Sequence, residues 1–402
     1  MQIHQESTNG AMAHAMELKQ LKSHIRTLIT LDETEAPMVS CYVQRDPGRN
    51  GSILSFERRD RAIRTVLRGQ ELLEFEQAFE RIQRYLATDL RPATRGVAMF
   101  SRAGANPFFL GLQFQVPLPD GLSVSSTPDV YHLVEMKDTY HRYVVLLSTE
   151  TSARILEVNL GAVTREVWAE RPELRERVGR EWTKDHYQSH RRDRSERFLK
   201  EKIDVLEKLM AAGGHTHLIL AGNPRLTARI RSCLPRHLHA KLIDVVSASS
   251  SARVADVVAA TLSSFIDREQ QESLDAVAQL MSALRLGGLG AAGTAATVEA
   301  LRRGQTDVLI MAREYAPGPA WSCKHCGWID AATAPPERCP DCESSELQPA
   351  NLKEEMVRLA ERQSLEVEIV QQSDMLMELG GVGCLLRYAT PSEPREDPRP
   401  QE

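Results

Sequence analysis

Four cysteines in two close pairs are the feature that most constrains this chain. Cys323 and Cys326 form one CxxC pair, Cys339 and Cys342 form the other, and twelve residues separate them. Two such pairs can place four thiolates around one tetrahedral ion, most often Zn²⁺. Four thiolates leave no open coordination position, so the expected role of the zinc is structural. A redox dithiol is the alternative for a single CxxC pair, and the doubled motif favours zinc.

The residues around the cysteines fit a small zinc ribbon. Gly327 follows the first pair, where a tight turn is needed. Trp321 and Trp328 flank the same pair and are predicted to form the core of the ribbon rather than a base-stacking platform. His325 lies between two cysteines and is not expected to bind the metal. A ribbon of this size stabilises folding, so the function should lie elsewhere in the chain.

Charge and length limit the class of protein. A chain of 402 residues predicts two to four domains, and a net charge of −5 argues against a wholly basic nucleic-acid coat. No apolar run approaches the length of a membrane span, and the first residues lack the pattern of a signal peptide. The sequence therefore predicts a cytoplasmic protein without a membrane partner.

Strand and helix patterns alternate along the chain and predict a mixed α/β fold. The predicted division is a disordered start at 1–16, α/β domains at 17–137, 138–268 and 269–388, a ribbon inserted at 317–347, and a disordered tail at 389–402. In the second domain, the runs Tyr143–Leu147 and Ala153–Val158 predict a β-hairpin.

One basic segment stands out in this acidic chain. Residues 180–202 contain eight Lys/Arg against five Asp/Glu, with His186 and His190 besides. Such a segment can meet nucleic-acid phosphate locally. The alternative is a solvated, ion-paired helix face, and charge patterning alone does not separate the two.

Several runs resemble the archaeal/eukaryotic class-1 release factor and Pelota superfamily, and in particular its bacterial relatives, which include ribosome hibernation factors of the Balon type. The ending Leu379–Tyr388 (LGGVGCLLRY) is the most specific of these matches. The other runs that carry the resemblance are Tyr143–Leu147 with Ala153–Gly161, Arg197-Phe198 opening a helix, the strand Leu218–Gly222, and Gly290–Gly304 followed by Val308–Ile310. The resemblance implies a three-domain architecture with a zinc ribbon in the third domain.

The chain departs from the family at the two motifs that carry peptide release and stop-codon recognition. Peptide release in this superfamily depends on a Gly-Gly-Gln loop in the central domain, and no Gly-Gly-Gln occurs in this chain. The stop-codon motif Asn-Ile-Lys-Ser is absent too. At the expected place Gln188 follows His186 and Tyr187, whose bulk disfavours the positive φ that glycine allows. The resemblance therefore implies a tRNA-shaped scaffold without catalytic residues, more plausibly a binding protein than an enzyme.

A loop before Arg197 is the predicted ribosome contact. Arginines there suit bidentate contacts with rRNA phosphates, while the aromatic rings suit stacking on a splayed base. The predicted contact residues are His186, Tyr187, Gln188, His190, Arg191, Arg192, Arg194 and Arg197.

By resemblance, the predicted function is a monomeric translation factor that occupies the ribosomal A site on idle or stalled ribosomes. Elongation factor Tu is the GTPase partner that the resemblance suggests. One alternative is a peptidyl-tRNA hydrolase with a remodelled loop that uses Gln188 or His186. Another is a zinc-ribbon adaptor that binds proteins or other RNA and never meets the ribosome.

A second histidine pair gives a weaker signal. His215 and His217 precede a predicted strand, but no carboxylate or third histidine lies at ligand spacing nearby in the sequence. We therefore predict ordinary residues at the end of a strand rather than a metal site.

Overall fold

The computed structural model describes residues 2–4, 15–45, 53–104, 106–170, 184–249 and 251–388. The elements up to residue 170 are β1 (Gln2–His4), α1 (Leu18–Ile29), β2 (Met38–Gln44), α2 (Ile53–Val66), α3 (Gly69–Thr88), β3 (Gly96–Arg102), β4 (Phe108–Phe114), β5 (Gly121–Ser125), α4 (Tyr131–Thr139), β6 (Tyr143–Ser148), β7 (Ser152–Asn159) and β8 (Ala162–Glu170). The elements that follow are α5 (Lys184–Gly213), β9 (Leu218–Gly222), α6 (Pro224–Cys233), α7 (Arg236–His239), β10 (Leu242–Ser247), α8 (Val254–Arg285), β11 (Gly290–Ala292), α9 (Thr294–Arg302), β12 (Thr306–Ala312), β13 (Ala320–Cys323), β14 (Ile329–Ala331), β15 (Leu347–Ala350), α10 (Leu352–Arg362), β16 (Glu366–Val370), α11 (Asp374–Glu378) and β17 (Val382–Leu386).

The chain forms two compact units, and the mixed α/β class is confirmed in both. The first unit contains residues 1–25, 31–128 and 139–269, and the second contains 26–30, 129–138 and 270–402. Because residues 31–128 and 139–269 share one unit, the predicted separation of an N-terminal from a central domain stays a prediction.

An antiparallel sheet of order β4-β3-β2-β5 opens the first unit. Helix α3 packs on it through Phe75 and Ile82, which join Val39 and Met99 of the sheet in one buried cluster. The rings of Phe75 and Phe79 stack 5.6 Å apart. Apolar residues one helical turn apart thus cover one face of a four-stranded sheet.

A six-stranded sheet of order β1-β8-β7-β6-β9-β10 forms the rest of the first unit. Strands β6, β7 and β8 are antiparallel, which confirms the predicted hairpin, whereas β9 runs parallel to β6 and β10 parallel to β9. Leu206 of α5 packs on one face with Leu146, and Phe265 of α8 packs on the other with Val145. The central strands are buried on both sides, which explains their continuous apolar runs.

The pairing of β1 at the edge of this sheet differs from the prediction for the first residues of the chain. Residues 1–16 were expected to be disordered, but Gln2–His4 pair antiparallel with β8, with Ile3 opposite Ala169. Strand pairing at a sheet edge uses backbone groups and needs no hydrophobic run, so the sequence pattern gave no signal. The remainder of 1–14 and the whole of 389–402 lie outside the described residues.

The second unit contains a sheet of order β11-β17-β12-β16 and a small sheet of order β14-β13-β15. Strand β12 is parallel to β16 and antiparallel to β17. The small sheet lies between β12 and α10 in the sequence, where the ribbon was predicted, and it contains the first cysteine of the motif.

Helix α4 belongs to the second unit, although the predicted boundary put residues up to 137 in the N-terminal domain. The Glu354 carboxylate of α10 accepts hydrogen bonds from the N–H groups of Val130 (2.7 Å) and Tyr131 (2.9 Å) at the start of α4. At its other end, Asp138 accepts from the N–H of Ile369 (2.9 Å). These partners are more than two hundred residues away in sequence, so local patterns could not reveal them.

Within the described part of the chain, no helix has both the length and the apolar character that crossing a bilayer requires.

Candidate functional site

The four predicted cysteines form one cluster. The Sγ atoms of Cys323 and Cys342 lie 3.6 Å apart, and those of Cys326 and Cys339 lie 3.5 Å apart. All four sulfur atoms lie within 4.8 Å of one another. A tetrahedral ion with Zn–S bonds of about 2.3 Å separates its sulfur ligands by roughly 3.8 Å. The four thiols therefore suit a single tetrahedral metal ion, as the sequence predicted.

The two CxxC turns have the same backbone geometry. The N–H of Gly327 donates to the carbonyl of Cys323 (3.0 Å), and the N–H of Glu343 donates to the carbonyl of Cys339 (2.9 Å). Both residues have a positive φ, +73° for Gly327 and +60° for Glu343. The turn predicted at Gly327 is confirmed, and its counterpart uses a glutamate where glycine would be unstrained.

Backbone N–H groups favour the thiolate form of Cys323. The pKa of the Cys323 thiol is lowered to about 6, chiefly because the N–H of Cys326 donates to its sulfur, with the N–H of His325 adding to this effect. Since metals bind thiolates rather than thiols, these donors prepare Cys323 for a cation. Burial instead raises the pKa of Cys326, the other cysteine of the pair.

A small apolar core supports the cluster. Trp328 is buried together with Cys323 and Cys339, and Trp321 packs against them half-buried. The predicted role of the two tryptophans as the ribbon core is confirmed. The His325 side chain is exposed and lies outside the four-cysteine group, as expected.

An ion pair anchors the ribbon to helix α9. Arg302 in the last turn of α9 pairs with Asp341, one of the two residues between the cysteines of the second pair. The four-cysteine cluster is thereby fixed to α9 by a contact outside its own apolar core.

The predicted ribosome-contact loop is helical instead. Helix α5 begins at Lys184, so residues 184–194 form its first turns. The stretch 184–197 contains neither glycine nor proline, and nothing in it opposes the helical backbone. The side chains of His186, Tyr187, Gln188, His190, Arg191, Arg192 and Arg194 lie outside the described residues, and that of Arg197 is exposed. Contact of these side chains with RNA stays a prediction.

One cation of this segment has a structural role. Lys202 is buried, and its Nζ donates to Ser148 Oγ (2.8 Å) and to the carbonyl of Thr149 (2.9 Å). The ammonium also lies 4.2 Å from the centre of the Phe198 ring. Lys202 therefore fixes helix α5 to the turn between β6 and β7 and is not available to RNA.

A second basic surface was not singled out from the sequence. Residues 223–241 contain five Lys/Arg, two histidines and no Asp or Glu. Helices α6 and α7 border a cleft of about 540 Å³ whose lining includes the exposed side chains of Arg231, Arg236 and His239. The absence of acidic residues over these nineteen positions is the sequence signal that could have revealed this surface. This cleft suits an anion such as a phosphate group.

The fold brings a carboxylate near each of His215 and His217, although none lies at ligand spacing in the sequence. Both histidines are buried just before β9. Nε2 of His215 lies 3.5 Å from Oε1 of Glu157, and Nε2 of His217 lies 3.7 Å from Oε1 of Glu269. The pairing with His215 lowers the pKa of Glu157. These carboxylates come from other elements, so spacing along the chain could not show them.

Comparison with known proteins identifies the central region. Residues 128–265 match the model of Bacterial archaeo-eukaryotic release factor family 10. This stretch contains the six-stranded sheet apart from β1, helix α5 and the cleft between α6 and α7. The resemblance inferred from the sequence is confirmed for this region. A search of the curated proteins finds no match.

Solved structures also align with the chain. Archaeal translation termination factor aRF1 is 15% identical, with a TM-score of 0.26, over 94% of this chain and 100% of that one. Pelota of Archaeoglobus fulgidus is 13% identical, with a TM-score of 0.35, over 94% of each chain. Dom34 of S. cerevisiae is 10% identical, with a TM-score of 0.40, over 74% of this chain and 82% of that one. The family match alone bears on function.

Proposed function

We propose that this chain, whose residues 128–265 belong to the bacterial archaeo-eukaryotic release factor family, binds the ribosome without releasing the peptide. It occupies the A site of idle or stalled ribosomes, as a hibernation factor or a stalled-ribosome factor. The observation that supports this proposal is a release-factor-like central region in a chain with no Gly-Gly-Gln sequence.

The helical start of α5 supports the lack of peptide release. Gln188 lies in a helix that begins at Lys184. A right-handed helical backbone does not provide the positive φ that a glycine turn uses. Gln188 is therefore poorly suited to position a hydrolytic water through its backbone.

Two basic segments of the matched region support contact with rRNA. Residues 180–202 have a net excess of Lys/Arg, and 223–241 has no acidic residue. Phosphate contacts by Lys/Arg supply most of the sequence-independent affinity for nucleic acid. A translational GTPase such as elongation factor Tu is the delivering partner that we infer for this factor, which acts in the cytoplasm as a monomer.

We also propose that the four-cysteine cluster holds structural Zn²⁺. Cys323, Cys326, Cys339 and Cys342 offer only thiolate ligands, which suit a closed tetrahedral zinc site. The ion would supply folding energy to the ribbon and take no part in a reaction.

The first test reverses charge on the described cleft. We expect Arg231→Glu with Arg236→Glu to weaken co-sedimentation with ribosomes and to lower the salt slope of binding by about one per lost phosphate contact. Arg253→Glu is the matched control, since that arginine is exposed and pairs with Asp256 outside the basic segments. Equal binding of the unaltered chain, the double variant and the control across a salt series would rule out rRNA contact at this cleft.

A second measurement separates binding from hydrolysis. We expect no release of peptide from stalled ribosome complexes above background. Release that disappears in Gln188→Ala or His186→Ala would instead establish a peptidyl-tRNA hydrolase. Absence of the chain from ribosomal fractions of stationary cells would favour the adaptor function.

A further inference from the structure

We propose that His141, His217 and Glu269 form a second metal site, which binds a divalent transition-metal ion such as Zn²⁺. The ligand atoms of these three side chains lie within 4.8 Å of one another. All three residues belong to the first unit, whereas the cysteine cluster belongs to the second. The site does not depend on the proposed ribosomal function.

Strand register brings the two histidines together. Strands β6 and β9 are parallel neighbours with Val144 opposite Leu218, so the residues just before them meet at one end of the sheet. Alternation along a strand puts His141 on the face of Tyr143, and His217 on the face of Ile219. Tyr143 and Ile219 both pack in the cluster that contains Phe265 of α8. Helix α8 covers this face and supplies Glu269.

The distances suit a shared cation. Nδ1 of His141 lies 3.2 Å from Oε2 of Glu269, and Nε2 of His217 lies 3.7 Å from Oε1 of the same carboxylate. The centres of the two imidazole rings are 5.6 Å apart. Bonds of about 2.0–2.1 Å to Zn²⁺ separate neighbouring ligand atoms by roughly 3.3 Å in a tetrahedron. Only small side-chain movements are needed to close the site around an ion.

Neighbouring residues hold the rings in place. Nδ1 of His217 lies 2.9 Å from Oγ1 of Thr216, which leaves Nε2 as the nitrogen that faces Glu269. Phe265 meets both imidazoles edge to face, at centroid distances of 5.3 Å for His141 and 5.6 Å for His217. Tyr143 stacks on Phe265 in turn, at 4.5 Å. Hydrogen-bonded and sterically restrained histidines of this kind are typical of metal ligands.

The number of ligands and the partial exposure of His141 allow one open coordination position at this site. The side chains of His217 and Glu269 are 9% and 12% exposed, whereas that of His141 is 29% exposed. Two imidazoles and one carboxylate supply three protein ligands, a set that leaves a position for water. Imidazole and carboxylate donors without thiolate suit Zn²⁺, Fe²⁺, Co²⁺ or Ni²⁺ better than Mg²⁺ or Ca²⁺.

Metal stoichiometry tests the site. After dialysis of the full chain against Zn²⁺ and removal of free ion, we expect about two equivalents of zinc by mass spectrometry, and about one in Glu269→Gln and in His217→Ala. Cys342→Ser should instead lose the ribbon equivalent and keep the other. His237→Ala is the control, since His237 pairs with Glu207 at 3.0 Å on an exposed surface, and it should keep both.

Cobalt spectra and thermal shifts distinguish loss of a site from loss of folding. Co²⁺ at the site of His141, His217 and Glu269 should give d–d absorption without thiolate charge-transfer bands. Glu269→Gln should therefore lose part of the d–d absorption and keep the charge-transfer bands of the cysteine ribbon. Added Zn²⁺ should raise the melting temperature of Cys342→Ser but not that of its double variant with Glu269→Gln, because a ligand stabilises only a fold that binds it. A single equivalent in the unaltered chain, or a second equivalent that persists in Glu269→Gln, would overturn the proposal.

Discussion

At the scale of single residues, the two CxxC turns differ in one backbone position. Gly327 and Glu343 both adopt a left-handed conformation after the second cysteine of their pair. A side chain in that region costs about 1–2 kcal/mol relative to the right-handed one, whereas glycine pays no such cost. The second turn is therefore the strained half of the ribbon.

Adding a glycine to the second turn and removing the glycine of the first turn should change the stability of the ribbon in opposite directions. We expect Glu343→Gly to stabilise the zinc-loaded ribbon by about 0.5–1 kcal/mol and Gly327→Ala to destabilise it by about 1 kcal/mol. No heavy atom lies within 4 Å of a Cβ built on Gly327, so the second effect comes from the backbone alone. Denaturant unfolding followed by tryptophan fluorescence measures both.

Ser345→Gly serves as the control for this pair, since Ser345 is exposed in the same ribbon and is not among the residues with positive φ. It should lower stability slightly through the entropy of the unfolded chain. Stabilisation by Ser345→Gly as large as that by Glu343→Gly would contradict the interpretation that the backbone of Glu343 is strained.

The residue scale also shows what the sequence could reveal. The four cysteine ligands were predictable because their spacing is local and each pair is its own signature. The strained Glu343 was not, since a glutamate after a CxxC pair gives no sign of its φ. His141 and His217 precede two different strands and Glu269 lies on helix α8, so only the folded sheet brings the three side chains together.

At the scale of elements, carboxylates in place of local caps hold α4 in the second unit. The buried Glu354 carboxyl accepts two N–H groups at the start of the helix. Burial, together with the neighbouring charge of Asp129, raises the pKa of Glu354 well above its usual range. The folded chain thus binds a proton at Glu354 more readily than the unfolded chain does.

This raised pKa predicts a specific pH dependence. Stability from Glu354 is greatest below the ordinary glutamate pKa of about 4.3 and falls as the pH rises towards the raised value. Glu354→Gln keeps an acceptor and removes the titration, so its unfolding free energy relative to the unaltered chain should improve between about pH 5 and about pH 8. Glu354→Ala should cost about 1–3 kcal/mol, because two buried N–H groups lose their acceptor.

Urea unfolding at both pH values measures these effects, with the exposed Glu378→Gln of α11 as control. A constant difference between Glu354→Gln and the unaltered chain at the two pH values would contradict the raised pKa.

Element types were largely predictable, whereas the first turns of α5, residues 184–194, were not. Apolar periodicity gave the strands β6, β7 and β9 and the helices α8 and α10. The polar start of α5 has no apolar stripe, so sequence patterning suggested a loop although no helix breaker was present. Resemblance to a family whose loop lies there reinforced that error.

At the scale of the whole molecule, the ribbon and the four-stranded sheet of the second unit are separate sheets, and the chain and the Arg302–Asp341 ion pair connect the ribbon to the rest of the unit. Among the described residues, strands β13–β15 pair only with one another, and β11, β17, β12 and β16 form their own sheet. The four cysteines lie in the ribbon, so loss of the proposed ion should act locally.

Loss of the ribbon ion is expected to leave the sheet folded. In Cys342→Ser, hydrogen exchange should become fast for amides of β13, β14 and β15 while those of β12, β16 and β17 stay protected. Full protection of the ribbon would show that zinc is dispensable, and loss of protection in the sheet would show that the two fold together. Arg302→Ala, which removes the contact with Asp341, tests whether that ion pair couples them.

The ends of the ribbon insertion return to the same place. The carbonyl of Arg313, just after β12, accepts a hydrogen bond of 2.6 Å from Nζ of Lys353 at the start of α10. A chain that leaves and re-enters a scaffold at adjacent points can be exchanged there for another of different length without a change in the scaffold. The ribbon is thus a replaceable insertion. A short linker in place of residues 317–347, which keeps the buried Tyr315 and Leu352, is the natural design for a version of this protein without it.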